Sequence, residues 1–466
     1  MNARPAGSPA MSASEKRAAL SLSSIYALRM MGLFMILPVF SLYAHNLSGN
    51  TPLLIGLAIG IYGLTQAILQ IPFGFASDKF GRKTVIVFGL LLFVVGSVVA
   101  AMSESIWGVI AGRALQGSGA IAAAVMALAA DLSREEHRTK VMAMIGMSIG
   151  LAFALALLLG PLLNNWIGVP GIFWLTAVLA SLSILVVKFA VPTAVLSKVH
   201  RDAEPVMAQL GSVFRDTQLL RLDIGIFILH IVLTSTFVVL PLVLRDSSGL
   251  SSIEHWKIYF PALVLSVIMM VPFIVIAEKQ RRLKQVFVGA ISVLVIAEFS
   301  VPILADTVIG AFVTIVVFFL AFNLLEASLP SLVSKMAPPD KKGSAMGVYS
   351  TFQFMGAFVG GTSGGWLHGQ FGATSVFIFS GVLCLVWVII ASSMRSPRYL
   401  TTHLINVGKV TEEQARQLTF RITQVRGVAE VIIVIEEGVA YLKVDKNALD
   451  ENALSQYSAS ASQTSA

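Results

Sequence analysis

The sequence predicts an all-α membrane protein with twelve transmembrane helices in two six-helix halves, followed by a small α+β domain. Only 12% of the 466 residues are charged, which is half of the roughly 25% typical of soluble domains. Twelve apolar runs are each long enough to cross a bilayer, and the last part of the chain has none. Because a helix satisfies its own backbone hydrogen bonds in hydrocarbon, we expect the spanning elements to be helices.

A spanning helix needs about 20 mostly apolar residues. The segments that meet this length are residues 22–44, 52–77, 83–103, 106–131, 138–163, 170–191, 220–244, 252–279, 284–304, 306–334, 342–369 and 371–394. They divide the chain into an N-terminus, two six-helix halves, a linker between the halves, a cytoplasmic α+β domain and a Ser/Ala-rich tail that we expect to be disordered. The corresponding ranges are 1–21 for the N-terminus, 22–191 and 220–394 for the halves, 192–219 for the linker, 395–457 for the domain and 458–466 for the tail.

The distribution of Lys and Arg orients the spans. With both termini in the cytoplasm, the inner segments up to residue 342 hold 21 Lys and Arg residues, while the six outer links hold only Arg245 and Lys257. This asymmetry follows the positive-inside rule. It accounts for most of the net charge of +8, so we expect lipid and not nucleic acid as the partner of the basic residues.

Several chemistries lack the residues that they need. The one cysteine, Cys384, can form neither an intramolecular disulfide nor a Cys-based metal site. The chain has no G-x-x-x-x-G-K-[ST] loop, so ATP is not expected to supply energy. We expect no cofactor, no metal and no enzymatic activity.

The two halves show signs of a repeat. The link "SDKFGRK" after span 2 aligns with "AEKQRRLK" after span 8 at an offset of 200 residues, which matches Asp78 to Glu278 and Arg82 to Arg282. Two parallel halves of this kind occur in several transporter folds. The linker between the halves has apolar residues at helical spacing, namely Val206, Leu210, Val213 and Phe214. It is either a helix lying on the inner leaflet or an ordinary linker with some apolar residues.

Ionisable residues inside the apolar spans are candidate functional residues because burying them is costly. Four of them fall on spans 1, 4, 7 and 10, namely Arg29, Arg113, His230 and Glu326. Two polar residues are further candidates: Gln116 follows Arg113 in span 4, and Asn323 lies one turn before Glu326 in span 10. Arg29 could instead reach the inner headgroups, and His230 could be a packed histidine. Glu298 lies near the outer end of span 9, where we expect a structural role.

Glu326 is the candidate for proton coupling. Burial disfavours its charged form, whereas an approaching Arg29 or Arg113 would favour that form. A carboxylate that alternates between the two environments takes up and releases a proton. Glycines support the required motion, because those of span 11 allow close helix packing and Gly160-Pro161 in span 5 predicts a kink.

Residues 74–83, "GFASDKFGRK", match every fixed position of the motif A of the major facilitator superfamily, and "GRALQGSGA" in span 4 resembles the motif B of its proton-coupled members. The resemblance covers residues 20–395 and implies twelve helices with alternating access. It implies a cytoplasmic latch in which Gly74 lets span 2 approach span 11 and Asp78 lies near the positive end of span 11. Gly81 allows a tight link, and Arg82 reaches a carboxylate, for which Asp131 is our candidate.

The chain as a whole resembles the YajR-type members, which are similar to drug–proton antiporters and carry an extra cytoplasmic domain. The resemblance implies a monomer in the inner membrane of a bacterium. One antiporter motif is altered, since Ala156 stands for its first glycine and Asn164-Asn165 for its last two, while Gly160-Pro161 is kept. Three functions therefore stay open: proton-driven efflux of small amphipathic compounds, proton-coupled import of a small solute, or a membrane sensor derived from a transporter.

The C-terminal domain has the element order β-α-β-β-α. "THLINV", "GVAEVIIVIEE" and "GVAYLKV" read as strands, with a turn at Glu437-Gly438. A Thr411–Gln414 capping box starts the first helix, and a second helix is expected over 447–457. This order suggests a small ferredoxin-like domain. From Tyr399 onward it is slightly acidic and has no Cys-x-x-Cys metal loop, so its role is either regulation or passive support of the cytoplasmic face.

Overall fold

The computed structural model describes residues 11–192, 207–338, 341–396, 401–408, 410–435, 438–445 and 448–457. Its contacts divide the chain into two compact units, Met1–Arg395 and Ser396–Ala466. The expected tail at 458–466 lies outside the described residues. So do residues 193–206 of the predicted linker.

The first unit is helical. The helices of its first part are α1 (Ala13–Phe34), α2 (Phe40–Ala44), α3 (Pro52–Phe80), α4 (Arg82–Met102), α5 (Ile106–Ser118), α6 (Ala122–Asp131) and α7 (Glu135–Leu185). Those of its second part are α8 (Met207–Phe214), α9 (Thr217–Asp246), α10 (Trp256–Lys279), α11 (Leu283–Leu304), α12 (Val308–Met336), α13 (Lys342–Phe371) and α14 (Ala373–Ser392). Within the described ranges, nine helical segments are long and apolar enough to cross a membrane. The helix that was one of two possibilities for the linker is present as α8.

Several predicted boundaries were wrong. The segment predicted as one span at 22–44 is broken between α1 and α2. The span predicted at 106–131 is confirmed as one apolar segment, Ile106–Asp131, although its helix is interrupted between α5 and α6. Helix α1 begins at Ala13, nine residues before the predicted start, because Ser12 and Glu15 form a capping box. Helix α7 runs through both predicted spans 5 and 6, and the non-helical residue recorded inside it is Gly168, at φ 66°, in the predicted link between them.

Glycines of α13 bring this helix into backbone contact with both α3 and α9. A methyl group on Gly361 would lie 2.6 Å from the carbonyl oxygen of Gly56 on α3. A methyl group on Gly360 would lie 2.7 Å from Cα of Ile231 on α9. The predicted close packing of span 11 is therefore present, and two different glycine faces of α13 carry it.

Two segments of the first unit show how burial changes along the bundle. We call the end that carries Lys79, Arg82 and Arg134 the basic end, and the opposite end the far end. On α9, half-buried residues recur along one face from Arg221 through Ile224 and Phe227 to His230. Every residue from 231 to 242 is buried, and so is every residue from 35 to 41, which connect α1 to α2 and begin α2. The bundle is thus sealed toward the far end beyond the level of His230.

The second unit is a three-stranded antiparallel sheet with two helices. Strands β1 (Thr401–Asn406), β2 (Val428–Val434) and β3 (Val439–Val444) lie in the order β1-β3-β2. Helix α15 (Glu412–Thr423) begins at the predicted capping box of Thr411, and α16 (Glu451–Ser455) is shorter than predicted. The helices and one sheet face enclose a separate core: Ile405, Ile422, Ala440, Leu442, Val444 and Leu454. The predicted order of elements is therefore present.

Candidate functional site

Arg29 lies in a buried polar cluster among α1, α3 and α5. Its side chain is 1% exposed. It donates to Oε1 of Gln66 at 2.7 Å and to the carbonyl oxygen of Gly119 at 2.9 Å. That carbonyl is available because α5 ends at Ser118, so the break in the predicted span supplies an acceptor. Arg29 therefore does not reach the headgroups, and its alternative interpretation is wrong.

Arg113 belongs to the same cluster. It donates to Oε1 of Gln116 at 2.9 Å, and Gln116 donates to Oγ of Ser97 at 2.8 Å. The guanidinium groups of Arg29 and Arg113 lie 5.8 and 5.1 Å from the ring centre of Tyr62. Both buried cations thus share one aromatic ring, an arrangement that stabilises desolvated positive charge.

Glu326 lies in a different cluster, on α12. Its Oε1 accepts from Nε2 of Gln353 at 3.1 Å, and the same nitrogen lies 3.0 Å from Nε2 of His230. The other ring nitrogen of His230 lies 3.2 Å from the carbonyl oxygen of Ile226. The structure therefore brings two predicted residues together through Gln353. Sequence reasoning missed Gln353, because an amide among the glycines of α13 carries no charge to mark it.

The expected approach of Arg29 or Arg113 to Glu326 does not occur in this conformation. Among the described residues, no salt bridge joins Glu326 to either arginine. Each arginine instead uses partners from its own half of the unit. In this conformation the carboxylate of Glu326 is therefore paired with the amide of Gln353 and not with a guanidinium group.

Asn323 and Glu298 have other partners. Asn323 donates to Oγ of Ser266 on α10 at 3.0 Å, so it does not share the partner of Glu326. Glu298 is fully buried and accepts from Oγ1 of Thr236 at 3.1 Å. Helix α11 thus turns the side chain of Glu298 toward α9 and into the protein interior.

The predicted contact between Arg82 and Asp131 is present at the basic end. Nε of Arg82 lies 3.2 Å from Oδ2 of Asp131, whose side chain is fully buried. The guanidinium also donates to Oγ of Ser77 at 2.9 Å and forms an ion pair with Asp78. One arginine therefore ties the link between α3 and α4 to the end of α6.

The glycines of this motif have separate places. Gly81 has φ 91°, which L-residues rarely adopt, so the expected left-handed link is present. Gly74 is buried in α3. The close approach of α3 to α13 is made by Gly56, Gly60 and Gly63, all nearer the far end. The carboxylate of Asp78, near the end of α3, forms its ion pair with Arg82, the first residue of α4.

A second ion pair at the basic end was not predicted. Glu15, near the start of α1, accepts from the guanidinium of Arg134 at 3.0 Å and from its backbone N–H at 3.0 Å. The side chain of Arg134 holds the pKa of Glu15 well below its usual value. Lys83 donates to the carbonyl oxygen of Val191 at 2.6 Å. These contacts tie α1, α4 and α7 together, and only the tertiary fold reveals them.

Comparisons with known proteins agree with this architecture. The profile of the Major Facilitator Superfamily matches residues 22–361 and 284–425. The chain belongs to this superfamily of membrane transporters. It is 46% identical to the inner membrane transport protein YajR of Escherichia coli (strain K12) over 436 residues. This alignment covers 93% of this chain and 95% of the relative. It is 26% identical to the multidrug resistance protein MdtH of Aeromonas salmonicida (strain A449), over 75% of this chain and 86% of the relative.

Solved structures of other transporters show the same superfamily fold. The nucleoside transporter NupG superposes with a TM-score of 0.65 at 15% identity, covering 81% of this chain and 99% of NupG. A bacterial homologue of the human lysosomal transporter Spinster, in an inward-facing and unoccupied conformation, superposes with a TM-score of 0.64 at 13% identity, covering 82% of this chain and 97% of that chain. At such identities the likeness concerns the fold alone.

Proposed function

We propose that this transporter couples the entry of protons to the efflux of small amphipathic compounds by alternating access. The observation that carries the proposal is the placement of Glu326, a half-buried carboxylate whose one hydrogen bond among the described residues is to Gln353. It lies beside His230, at the level where access from the basic end stops. Aromatic side chains surround this level, with Phe322 6.3 Å from His230 and Phe153 6.1 Å from Phe322. Such a surface suits an apolar compound with a polar group.

The proposed transporter has twelve spans. Dividing α7 at Gly168 and adding α1 with α2 and the glycine-rich α13 to the other apolar helices gives two sets of six. The basic end faces the cytoplasm of a bacterial inner membrane, and both termini lie on that side. The protein acts as a monomer on a small-molecule substrate and protons, and it does not bind nucleic acid. The sealed far end makes this conformation inward-facing.

The basic end holds the proposed latch, which closes in the outward-facing state when Asp78 reaches the start of α13. Arg82, Asp78 and Asp131 join α3, α4 and α6, and Gly74 and Gly81 allow the local backbone packing. The proposed ferredoxin-like domain, residues 395–457, regulates transport. The relative MdtH is named a multidrug resistance protein, which supports efflux for this chain.

Transport by purified protein in proteoliposomes tests the proposal. An imposed pH gradient should drive ethidium against its own gradient, in the direction opposite to the protons. Glu326→Gln should lower this flux at least about tenfold, since it removes a positioned proton acceptor. The matched control is Glu104→Gln, an exposed residue at the far end, which should behave as wild type. Dye flux in the same direction as the protons would indicate import, and dye flux that ignores the gradient would contradict proton coupling.

A further inference from the structure

Asp223 is a buried carboxylate that the sequence analysis did not single out. It lies on α9, seven residues beyond Asp216, and is 2% exposed. Within the described part of the chain its Oδ2 has no hydrogen-bond partner. A buried polar atom left without a partner destabilises a fold, so this placement needs an explanation.

Two further polar atoms without partners lie around Asp223. The hydroxyl of Tyr349 on α13 is buried and unpartnered among the described residues, and so is Oε2 of Glu326 on α12. Tyr349 is within electrostatic reach of both Asp223 and Glu326. Tyr349 lies one turn of α13 before Gln353, which bonds Glu326 on α12, and α9 packs along α13, so the three atoms lie on helices that pack together. Native structures keep few such atoms, and clusters of them mark bound water or a chemical role.

The cluster continues toward the basic end. Asp216, the N-cap of α9, lies within electrostatic reach of Asp223. Seven residues of helix separate the two carboxylates by about 10 Å along the axis. Arg221 on the same helix points elsewhere, because it donates to the carbonyl oxygen of Ser393 at 3.1 Å. Among the described residues, the ionisable groups within electrostatic reach of Asp223 are Asp216 and Tyr349, and Tyr349 in turn links Asp223 to Glu326.

We propose that Tyr349 and Asp223 form a proton-release path from Glu326 to the basic end, an inference that rests on the proposed proton coupling. Protonated Glu326 gives its proton to the hydroxyl oxygen of Tyr349 as Tyr349 gives its own proton to ionised Asp223, directly or through one water molecule. One O–H bond breaks and one forms at each step. Asp223 then passes the proton to water beside Asp216, and Tyr349 ends unchanged.

Infrared spectroscopy of the full chain in lipid nanodiscs tests the path without a transported compound. A pH titration should show two protonated-carboxyl C=O bands, of which Glu326→Gln removes one and Asp223→Asn the other. Asp223→Asn and Tyr349→Phe should each shift the titration midpoint of the Glu326 band, because interacting carboxyls titrate as a pair. A Glu326 band with an unchanged midpoint in both variants would overturn the path.

Transport of ethidium separates proton transfer from a structural role. In Asp223→Asn, gradient-driven flux should fall at least about tenfold, while ethidium exchange without net proton movement should match wild type. Asp223→Glu should restore the driven flux, and the exposed control Asp306→Asn should leave both modes unchanged. Equal loss of both modes, or loss of neither, would refute the path. If the wild type shows no gradient-driven flux but Asp223→Asn still shifts the Glu326 band, the proposed function fails while the interaction between Asp223 and Glu326 is supported.

Discussion

Replacing Gly361 by alanine should open the far end of the bundle. Its methyl group would lie 2.6 Å from the carbonyl oxygen of Gly56 and 2.9 Å from both Cα and N of Gly60. All three atoms belong to the backbone of α3, so no side-chain rotation relieves the contact and the two helices must separate. Overpacking of this kind costs about 1–3 kcal/mol. If the cost falls on the sealed state alone, the ratio of open to sealed molecules rises about 5- to 150-fold.

The accessibility of Ser41 reports this change. Ser41 is 1% exposed and lines a small pocket near the far end with Pro52 and His368. In a Cys384→Ser background, Ser41→Cys should react with a membrane-impermeant maleimide only when the far end opens. Gly361→Ala should raise the labelling rate of this cysteine about 5- to 150-fold. The measurement uses protein that elutes from a size-exclusion column as a single folded species.

Gly289 supplies the matched control. A methyl group there meets nothing within 4 Å, so Gly289→Ala in α11 should leave the labelling rate unchanged. Equal rates in wild type and well-folded Gly361→Ala would refute the idea that the contact between α3 and α13 seals the far end. The same conclusion would follow if Gly289→Ala raised the rate as much.

The basic end gives two further predictions. Arg82→Ala leaves the buried carboxylate of Asp131 without this partner, and breaking such a buried pair costs about 3–5 kcal/mol. Transport should therefore weaken while the protein stays inserted in the membrane. Full transport activity in this variant would refute the latch. Arg134 depresses the pKa of Glu15, so the pair stabilises the fold at neutral pH and loses that effect as the pH falls. Glu15→Gln should therefore lower the unfolding temperature at pH 7, and the difference from wild type should shrink progressively as the pH falls below about 4, the usual pKa of a glutamate. A difference independent of pH would contradict the assignment.

Several local features were predictable because their signal is local. The Arg82–Asp131 contact followed from a motif whose residues are close in sequence and from one acidic residue at a helix end. The turn at Gly81 followed from glycine's freedom at positive φ. The capping box at Thr411 lies within four residues. In each case the partners are neighbours in the chain or lie at the ends of predicted helices.

The cavity residues show the limit of such reasoning. Charge marked Arg29, Arg113 and Glu326 as costly to bury, but it could not assign their partners. Those partners are Gly119, Gln116 and Gln353, a carbonyl and two amides that carry no charge. Asp223 escaped notice because it lies near the start of its apolar run, where a carboxylate looks exposed.

The sequence by itself determined that the chain is a helical membrane protein with a small α+β domain, since hydropathy, basic links and motif spacing are properties of contiguous residues. Only the tertiary structure decided which end of the bundle is sealed and which buried groups share a cluster. Both depend on contacts between residues far apart in the chain, such as Gly56 with Gly361 and His230 with Gln353. The packing of α13 against α3 and α9 fixes these contacts, and a one-dimensional pattern of glycines does not state which helix each glycine meets.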